Sequence, residues 1–407
     1  MNTPSATPAP PLKFAIALAL IGALGPSAID MYLASMPSIA LEYGTSYAGV
    51  QLTLTVFLLA LGAGQLLFGP VVDVLGRRRP LLVGLLVFVL SSLLAARADS
   101  LDALLIARFI QGLGSALTLV VIMSMVRDVA EGARAAQIFA LLMTIIGLSP
   151  VIAPALGGII GAGYGWRAIM LTLAALGALV LLNATWVLKE TLPADKRLAW
   201  SQVNVLSTYL RIARDANFLR PALALSAVFF FLFAYIAGAA YVYQSHFGLS
   251  VKAFGLLFGA TGVAVLLGAF SAGRLVARKG LARLAQWGAG CMVLGALLVL
   301  LGALTSAGLA GIVAGMFVAM FGLGIAEAAL MALVMGSQSR ALGSTAALLG
   351  ALQMSISSLA TPLSGIIAPL GSGYWAILLA LSAMVVAVLV RASTRGLPIE
   401  LNSLADH

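Results

Sequence analysis

The sequence is poor in the residues that build soluble enzymes and metal sites. Of its 407 residues only 9% are charged and 62% are hydrophobic, and it has one cysteine and two histidines. Soluble domains carry about 25% charged residues. A single cysteine excludes a disulfide framework within the chain, and with two histidines it leaves no His/Cys metal cluster. No G-x-x-x-x-G-K-[ST] pattern occurs, so ATP-driven chemistry through such a loop is disfavoured.

Long apolar stretches fill most of the chain. Each is about 20 residues long, enough for a helix to cross roughly 30 Å of hydrocarbon. Lipid offers no partner to unpaired backbone groups, and the alternation of a barrel strand is absent, so we expect helices. The sequence therefore predicts an all-α membrane protein. The twelve expected spans are 14–34, 48–72, 80–97, 101–124, 137–160, 167–188, 220–245, 252–276, 283–305, 308–333, 344–368 and 373–391.

The cations are distributed unevenly between the two sides of the predicted membrane. The net charge of +10 could suggest nucleic acid as a partner, but 19 of the 23 Lys and Arg residues fall in loops on one side. Only Arg97, Arg167 and Lys252 fall in loops on the other. Cytoplasmic loops carry the excess of Lys and Arg. The pattern predicts that both termini are cytoplasmic, and it argues against a nucleic-acid partner.

A long polar segment divides the chain into two halves that repeat each other. PALGG at Pro154 is echoed by PLSGI at Pro362, and GLGSA at Gly112 by GLGIA at Gly322. Parallel six-helix repeats are typical of transporters with a binding site between the halves. The predicted linker includes an amphipathic helix near Trp200–Ile212. The expected divisions are a cytoplasmic tail 1–13, a bundle 14–188, a cytoplasmic linker 189–219, a bundle 220–391 and a cytoplasmic tail 392–407.

The turn after the second span, GPVVDVLGRRRP, has a regular spacing of special residues. Gly69 and Gly76 allow a tight turn, Asp73 can cap a helix N-terminus, and Arg77 opens a run of three arginines. A second acid, Asp128, follows an arginine at the end of the fourth span. Glycine, acid and cation in this order predict a tight turn whose arginines hold the loop on the cation-rich side, and the acids and cations can also form a simple solvated charge cluster.

The fifth span, GLSPVIAPALGG, combines proline with paired glycine. Proline removes backbone hydrogen bonds and glycine permits close packing, so this helix can bend or seal against a neighbour. Membrane helices in general are also rich in both residues. The four residues of interest are Pro150, Pro154, Gly157 and Gly158.

These motifs resemble those of the major facilitator superfamily. IDMYLASMPSIA, GWRAI, KETL and LGSTAALLGALQ are further similar to the bicyclomycin/chloramphenicol-resistance (Bcr/CflA) drug:proton antiporters. The resemblance implies a twelve-helix inner-membrane exporter of small amphipathic drug-like compounds, phenicol- or bicyclomycin-like. It also implies a latch of Asp73, Arg77 and Asp128 and an antiporter motif in the fifth span. A sugar or metabolite exporter on the same scaffold is the alternative.

The resemblance also bears on partners and energy source. We expect no enzyme activity and no cofactor, because a proton gradient would supply the energy. The expected partners are the exported compound, protons and membrane lipids, and the protein is expected to be a monomer.

Three charged side chains fall inside the predicted spans: Asp30, Arg108 and Glu327. A charge near the bilayer centre costs at least about 2.5–3.5 kcal/mol, so such residues are functional candidates. Counting residues along their helices places Asp30 and Arg108 at similar depth. The resemblance implies that the two helices line one cavity, so we expect Asp30 and Arg108 to pair and to couple protons. Glu327 is expected either to bind a proton or recognise a cation, or to form a structural pair with Arg340 or another arginine of the inner side.

Aromatic and amide side chains in the spans are candidates for lining a substrate cavity. Phe229 and Phe233 are four residues apart and share a helix face. An aromatic stripe at this spacing also suits simple packing. The full set of expected cavity residues is Tyr32, Gln111, Phe229, Phe233 and Gln353.

Overall fold

The structure, a computed structural model, describes residues 12–130, 132–197, 205–338 and 342–395. These residues form fourteen α-helices. They are α1 (Leu12–Leu33), α2 (Met36–Glu42), α3 (Tyr47–Leu75), α4 (Arg78–Ala96), α5 (Leu101–Val129), α6 (Gly132–Tyr164), α7 (Trp166–Val187), α8 (Val205–Arg214), α9 (Ala216–Tyr241), α10 (Val251–Lys279), α11 (Leu281–Leu304), α12 (Gly308–Gly336), α13 (Leu342–Ile367) and α14 (Ser372–Thr394).

Twelve helices of the described chain are long and apolar enough to cross a membrane. The expected all-α membrane fold with twelve spans is therefore confirmed. Two helices are short: α2, with 7 residues, and α8 of the linker, with 10. α8 begins at Val205, so the part of the expected linker helix before that residue lies outside the described residues.

The ends of the long helices follow local sequence rules that recur in the two halves. Ser46 caps α3 by accepting a hydrogen bond from the third residue of the helix, and Ser250 caps α10 in the same way. Gly76 ends α3 at a φ of 88°, and Gly280 ends α10 at 74°. Positive φ favours glycine, because other residues meet a steric penalty there. Serine caps and glycine stops thus define equivalent helices in both halves.

The two halves meet along two long helix pairs, α3 against α13 and α6 against α10. Small residues make the close approach possible. A Cβ on Gly62 would lie 2.9 Å from the Cβ of Met354, and one on Gly158 would lie 3.0 Å from the Cα of Gly255. Glycine at such crossings lets helix backbones approach closely, which is how helices associate where lipid gives little hydrophobic drive.

Polar contacts join the halves toward one end of the bundle, which we call the α2 end. Tyr47 Oη and Gln51 Nε2 both donate to the backbone oxygen of Ala237, at 2.6 and 2.9 Å. Gln244 Nε2 donates to the backbone oxygen of Ala34 at 2.9 Å. The opposite end, which carries the α3–α4 turn and the linker, we call the linker end. The halves are therefore fastened to each other at the α2 end.

Candidate functional site

Arg108 of α5 lies inside the first half. Its side chain is fully buried, with its guanidinium 4.9 Å from the centre of the Tyr32 ring and 4.5 Å from that of Phe57. Nη1 donates to the backbone oxygen of Ala28 at 3.0 Å and to Oε1 of Gln111 at 2.5 Å. Nε and Nη2 have no partner in the part of the chain that the structure describes. Arg108 is thus a buried cation held by carbonyl oxygens and ring faces, as cation–π contacts allow.

The structure does not bring Asp30 and Arg108 into the expected ion pair. Asp30 is buried as well, yet its carboxyl group has neither a hydrogen bond nor an ion pair among the described residues. Asp30 follows Ala28 by two residues, which turn an α-helix by about 200°. It therefore lies on the side of α1 away from the carbonyl that binds Arg108. Similar depth in the membrane does not ensure contact, because helix rotation decides which neighbour a side chain meets.

The face of α1 that carries Asp30 belongs to the contact with α6. Ala23 and Ser27, seven and three residues before Asp30, line a groove of about 210 Å³ between α1, α6 and α7. Ser27 Oγ lies 3.1 Å from Ser149 Oγ of α6. The rest of the lining is almost entirely apolar. Asp30 is thus an acid beside the α1–α6 contact that no described residue pairs with.

Tyr32 and Gln111 were expected to line a cavity, but the structure places them in the packed interior. Both are fully buried inside the first half. Tyr32 Oη lies 3.0 Å from Thr53 Oγ1, and Gln111 Nε2 donates to Ser92 Oγ of α4 at 2.8 Å. Buried polar groups require partners, and these two find them within their own half. In this structure they position Arg108.

In the second half the three candidate cavity residues lie in two neighbouring helices. Phe233 of α9 is buried and Phe229 is half-buried, and both belong to the packed core. Gln353 is buried in α13, which packs on α3 and α9 at the boundary between the halves. Gln353 Nε2 and Ser357 Oγ, one helical turn apart, have no hydrogen-bond partner among the described residues. The hydrogen-bonding capacity of these two buried groups is therefore unused within the described chain. Ser357 has no sequence signal that separates it from neighbouring serines.

Glu327 of α12 is half-buried. Its carboxyl group makes neither an ion pair nor a hydrogen bond within the described ranges. The partner considered from the sequence, Arg340, lies outside the described residues. Glu327 is therefore a second intramembrane acid without a described partner.

The expected latch residues come together at the linker end. Arg77, which is buried, donates from Nε to Asp128 Oδ2 at 2.8 Å and from Nη1 to Asp73 Oδ1 at 2.7 Å. Gly76 supplies the left-handed backbone that turns the chain before Arg77. Gly69 lies one turn before Asp73 in α3. A Cβ added to Gly69 would lie 3.7 Å from Tyr209 Oη of α8. The latch is thus a buried cation between two carboxylates.

Two further residues belong to the latch, Glu190 and Thr191. They were not among the site residues expected from the sequence. Glu190 accepts hydrogen bonds from the backbone N–H groups of Arg77 at 2.8 Å and Arg78 at 3.3 Å, at the start of α4. Thr191 Oγ1 donates to Asp128 Oδ2 at 2.8 Å. The available signal was the KETL segment directly after the sixth span. Partial burial raises the pKa of Glu190, but the backbone donors outweigh it and hold that pKa below its ordinary value.

The proline- and glycine-rich part of α6 packs on helices of both halves. A Cβ on Gly157 would overlap the backbone oxygen of Met31 in α1, and one on Gly158 would lie 2.9 Å from that of Val251 in α10. The backbone oxygens of Pro150 and Pro154 face glycines of α10. One helix therefore links the Asp30 region to the second half.

Comparison with known proteins agrees with this architecture. A family model described as Major Facilitator Superfamily matches residues 18–362. The chain is 39% identical over 279 residues to the uncharacterized MFS-type transporter YdgK of Bacillus subtilis, covering 67% of this chain and 69% of that protein. It is 32% identical over 283 residues to a chloramphenicol resistance protein of Pseudomonas aeruginosa, covering 69% and 65%. It is 37% identical over 170 residues to the multidrug resistance protein MdtL of Klebsiella pneumoniae, covering 42% and 43%.

The match thus spans about two thirds of the first two relatives and less than half of MdtL. Among solved structures, the human organic anion transporter MFSD10 is similar in fold, with a TM-score of 0.68 at 16% identity over 93% of this chain and 99% of that chain. Relatives that are transporters indicate a multi-pass membrane protein with a small-molecule substrate and no enzyme activity. The chain belongs to the major facilitator superfamily.

Proposed function

We propose that this protein is a proton-coupled exporter of small amphipathic compounds, of the Bcr/CflA kind, in the inner membrane with both termini cytoplasmic. The similarity to the chloramphenicol resistance protein and to MdtL supports drug export. The excess of Lys and Arg in the loops of the linker end supports the orientation. The protein works as a monomer and requires no cofactor besides the proton gradient.

The observation that carries the proposal is the buried carboxyl group of Asp30 in α1, which has no partner in the described part of the chain. Burying a lone charge costs several kcal/mol, whereas a neutral carboxyl is tolerated. The carboxyl group of Asp30 is thus suited to be neutral while it is buried and ionised when water reaches it. Its place beside the α1–α6 contact lets a change of charge alter how these helices pack.

Arg108 acts as a fixed support in this scheme. Its bonds to Ala28 and Gln111 and its two flanking rings hold α1, α3 and α5 together. Direct competition between substrate and proton at an Asp30–Arg108 pair has no basis in this geometry. Proton binding at Asp30 therefore acts through helix packing.

Gradient-driven transport in proteoliposomes tests the proposal. With the membrane potential clamped at zero, a gradient of 1 pH unit corresponds to about 1.4 kcal/mol per proton, or about tenfold accumulation of chloramphenicol. We expect this accumulation for the native chain and none for Asp30→Asn, while exchange of labelled for unlabelled drug without a gradient stays within about threefold. The matched control is Asp102→Asn, which removes an exposed acid from the first turn of α5.

Two results would contradict the proposal. Full accumulation by Asp30→Asn would move proton coupling elsewhere, with Glu327→Gln as the next variant to measure. If the native chain shows no gradient-driven transport of a panel of phenicols and bicyclomycin, drug export is excluded as its function. In that case a sugar or metabolite exporter is the better account, and the unpaired polar groups of Gln353 and Ser357 are consistent with a hydroxyl-bearing substrate.

A further inference from the structure

Four cations crowd the turn between α10 and α11 at the linker end. Arg274, Arg278 and Lys279 lie in the last two turns of α10, and Arg283 lies in the first turn of α11. All four side chains are exposed. We call these four residues the basic hairpin patch.

Nothing in the described chain neutralises this patch. The sequence from Val251 to Ala326 contains no Asp or Glu. Of the helices that pack on α10 and α11, α6 and α14 have no acid and α12 has only Glu327, which makes no ion pair with a described residue. The four salt bridges found among the described residues all lie elsewhere. The patch is therefore an uncompensated local charge.

Two exposed aromatic rings border the patch. The Arg274 guanidinium lies 4.2 Å from the centre of the Phe270 ring, and Lys279 Nζ lies 5.3 Å from that of Trp287. These rings are 57% and 48% exposed, respectively. Aromatic side chains and cations at the end of a membrane helix are typical of the headgroup level of the bilayer. The patch thus faces the boundary between acyl chains and headgroups.

The equivalent turn of the first half shows that such charge can be satisfied within the protein. There Arg77 binds Asp73 and Asp128. Arg78 donates to the backbone oxygens of Leu188 and Thr185, at 3.0 and 2.9 Å. In the second half, alanine and leucine stand at the positions of Asp73 and Arg77 relative to the turn glycine, at 277 and 281. The cations of the second turn are exposed, and none has a carboxylate partner among the described residues.

We propose that the basic hairpin patch binds the phosphate groups of anionic phospholipid headgroups, with the acyl chains lying against Phe270 and Trp287. Arginine binds phosphate oxygens through two parallel hydrogen bonds. Basic clusters at the end of membrane helices attract anionic lipid, with about 1 kcal/mol for each cation. Four neighbouring cations can hold more than one phosphate. Residues 396–407 contain two acids, Glu400 and Asp406, which are too few carboxylates to offset four cations.

Titration of the full-length protein in neutral detergent with fluorescent phosphatidylglycerol tests this site, with phosphatidylcholine as the zwitterionic reference. Arg278→Gln/Arg283→Gln should weaken phosphatidylglycerol binding about 30-fold, since about 1 kcal/mol per cation is about fivefold each. The charge-matched control is Arg79→Gln/Arg211→Gln, which removes two exposed cations from α4 and α8 at the same end and should change affinity less than threefold. Arg278→Lys/Arg283→Lys keeps the charge and should bind within about threefold of the native chain.

Three outcomes would overturn the proposal. One is equal loss of affinity in the patch variant and the charge-matched control, which would show a diffuse surface field only. Another is displacement of the lipid by millimolar inorganic phosphate, which would show a general anion site. The third is tightening of lipid binding by more than fivefold in Glu400→Gln, which would show that the tail carboxylate occupies the patch.

Discussion

The α3–α4 and α10–α11 hairpins share their helix caps and turn glycines, but they differ in whether their charged side chains are paired. Both first helices start at a serine cap and end at a glycine with positive φ, Ser46 and Gly76 in one half and Ser250 and Gly280 in the other. In the first hairpin Arg77 is buried between carboxylates. In the second the cations are exposed and unpaired with any described residue.

The difference shows which properties of a repeat are constrained by the fold. Caps and turn glycines satisfy backbone requirements that both halves share, so the same residue types recur. Side-chain charge is free to differ once the backbone is set. The first turn of α4 is capped by Glu190 from the linker, whereas α11 has no side-chain cap within the described residues. One hairpin therefore binds the linker of its own chain, and the other faces the surroundings.

The largest expected effect is at Arg77. Arg77→Ala leaves Asp128, whose side chain is only 15% exposed, without its cation. Breaking a buried pair costs about 3 kcal/mol or more, and turnover should fall more than tenfold with substrate affinity within a few-fold. Thermal unfolding in detergent and transport in proteoliposomes measure both. Arg278→Ala, in the second hairpin, should change stability by less than about 0.5 kcal/mol. Equal destabilisation by the two variants would contradict the proposed difference between a buried, paired Arg77 and an exposed Arg278.

An intermediate effect is expected at the two turn glycines. Gly280→Ala should cost about 1 kcal/mol, because alanine is strained at positive φ. Gly76→Ala should cost about 2 kcal/mol, because its Cβ would also lie 2.6 Å from Glu190 Oε2 and 2.9 Å from Arg197 Nη2. Chemical denaturation of the two variants in the same detergent gives the comparison. If Gly280→Ala is the more destabilised, the first hairpin is not the more tightly packed one.

The smallest expected effect is at Glu190. Glu190→Gln should cost about 1 kcal/mol at pH 7, as loss of a charged cap does. The pKa of Glu190 is lower in the folded chain than its ordinary value of 4.5, so its stabilisation is present above pH 4.5 and is lost as pH falls through the folded pKa. The stability difference between native chain and variant should therefore shrink on acidification from pH 7 toward pH 4. A difference that is constant over this range would show that the ionised carboxylate is not the cap.

The fold was predictable because its signals are local. Hydrophobic length, serine before a helix and glycine after it act over a few residues, and the bilayer forces each apolar segment to satisfy its own backbone. The twelve spans follow from these rules alone. The latch residues Asp73, Arg77 and Asp128 were also expected, as the resemblance of their motif to that of the superfamily implied.

Other parts of the site depend on contacts that sequence spacing does not encode. Asp30 and Arg108 have similar expected depths, but they meet different neighbours because α1 presents Ala28 to α5 and its other side to α6. Gln111 faces Ser92 of α4, although its place beside Arg108 suggested a cavity. Glu190 lies 113 residues from Arg77, and only the packing of α7 on α4 brings them together.

The sequence by itself determined that this chain is an all-α membrane protein with twelve spans, two related halves and three charges at membrane depth. Length, hydropathy and capping are properties of single segments, so no tertiary information is needed to detect them. The tertiary structure decided the rotation of each helix. That rotation left Asp30 without a partner among the described residues and surrounded Arg108 with carbonyl oxygens and rings. The packing of the helices also brought Glu190 and Thr191 of the linker to the latch. Rotation follows from the simultaneous packing of several helices, and packing is a property of the whole bundle.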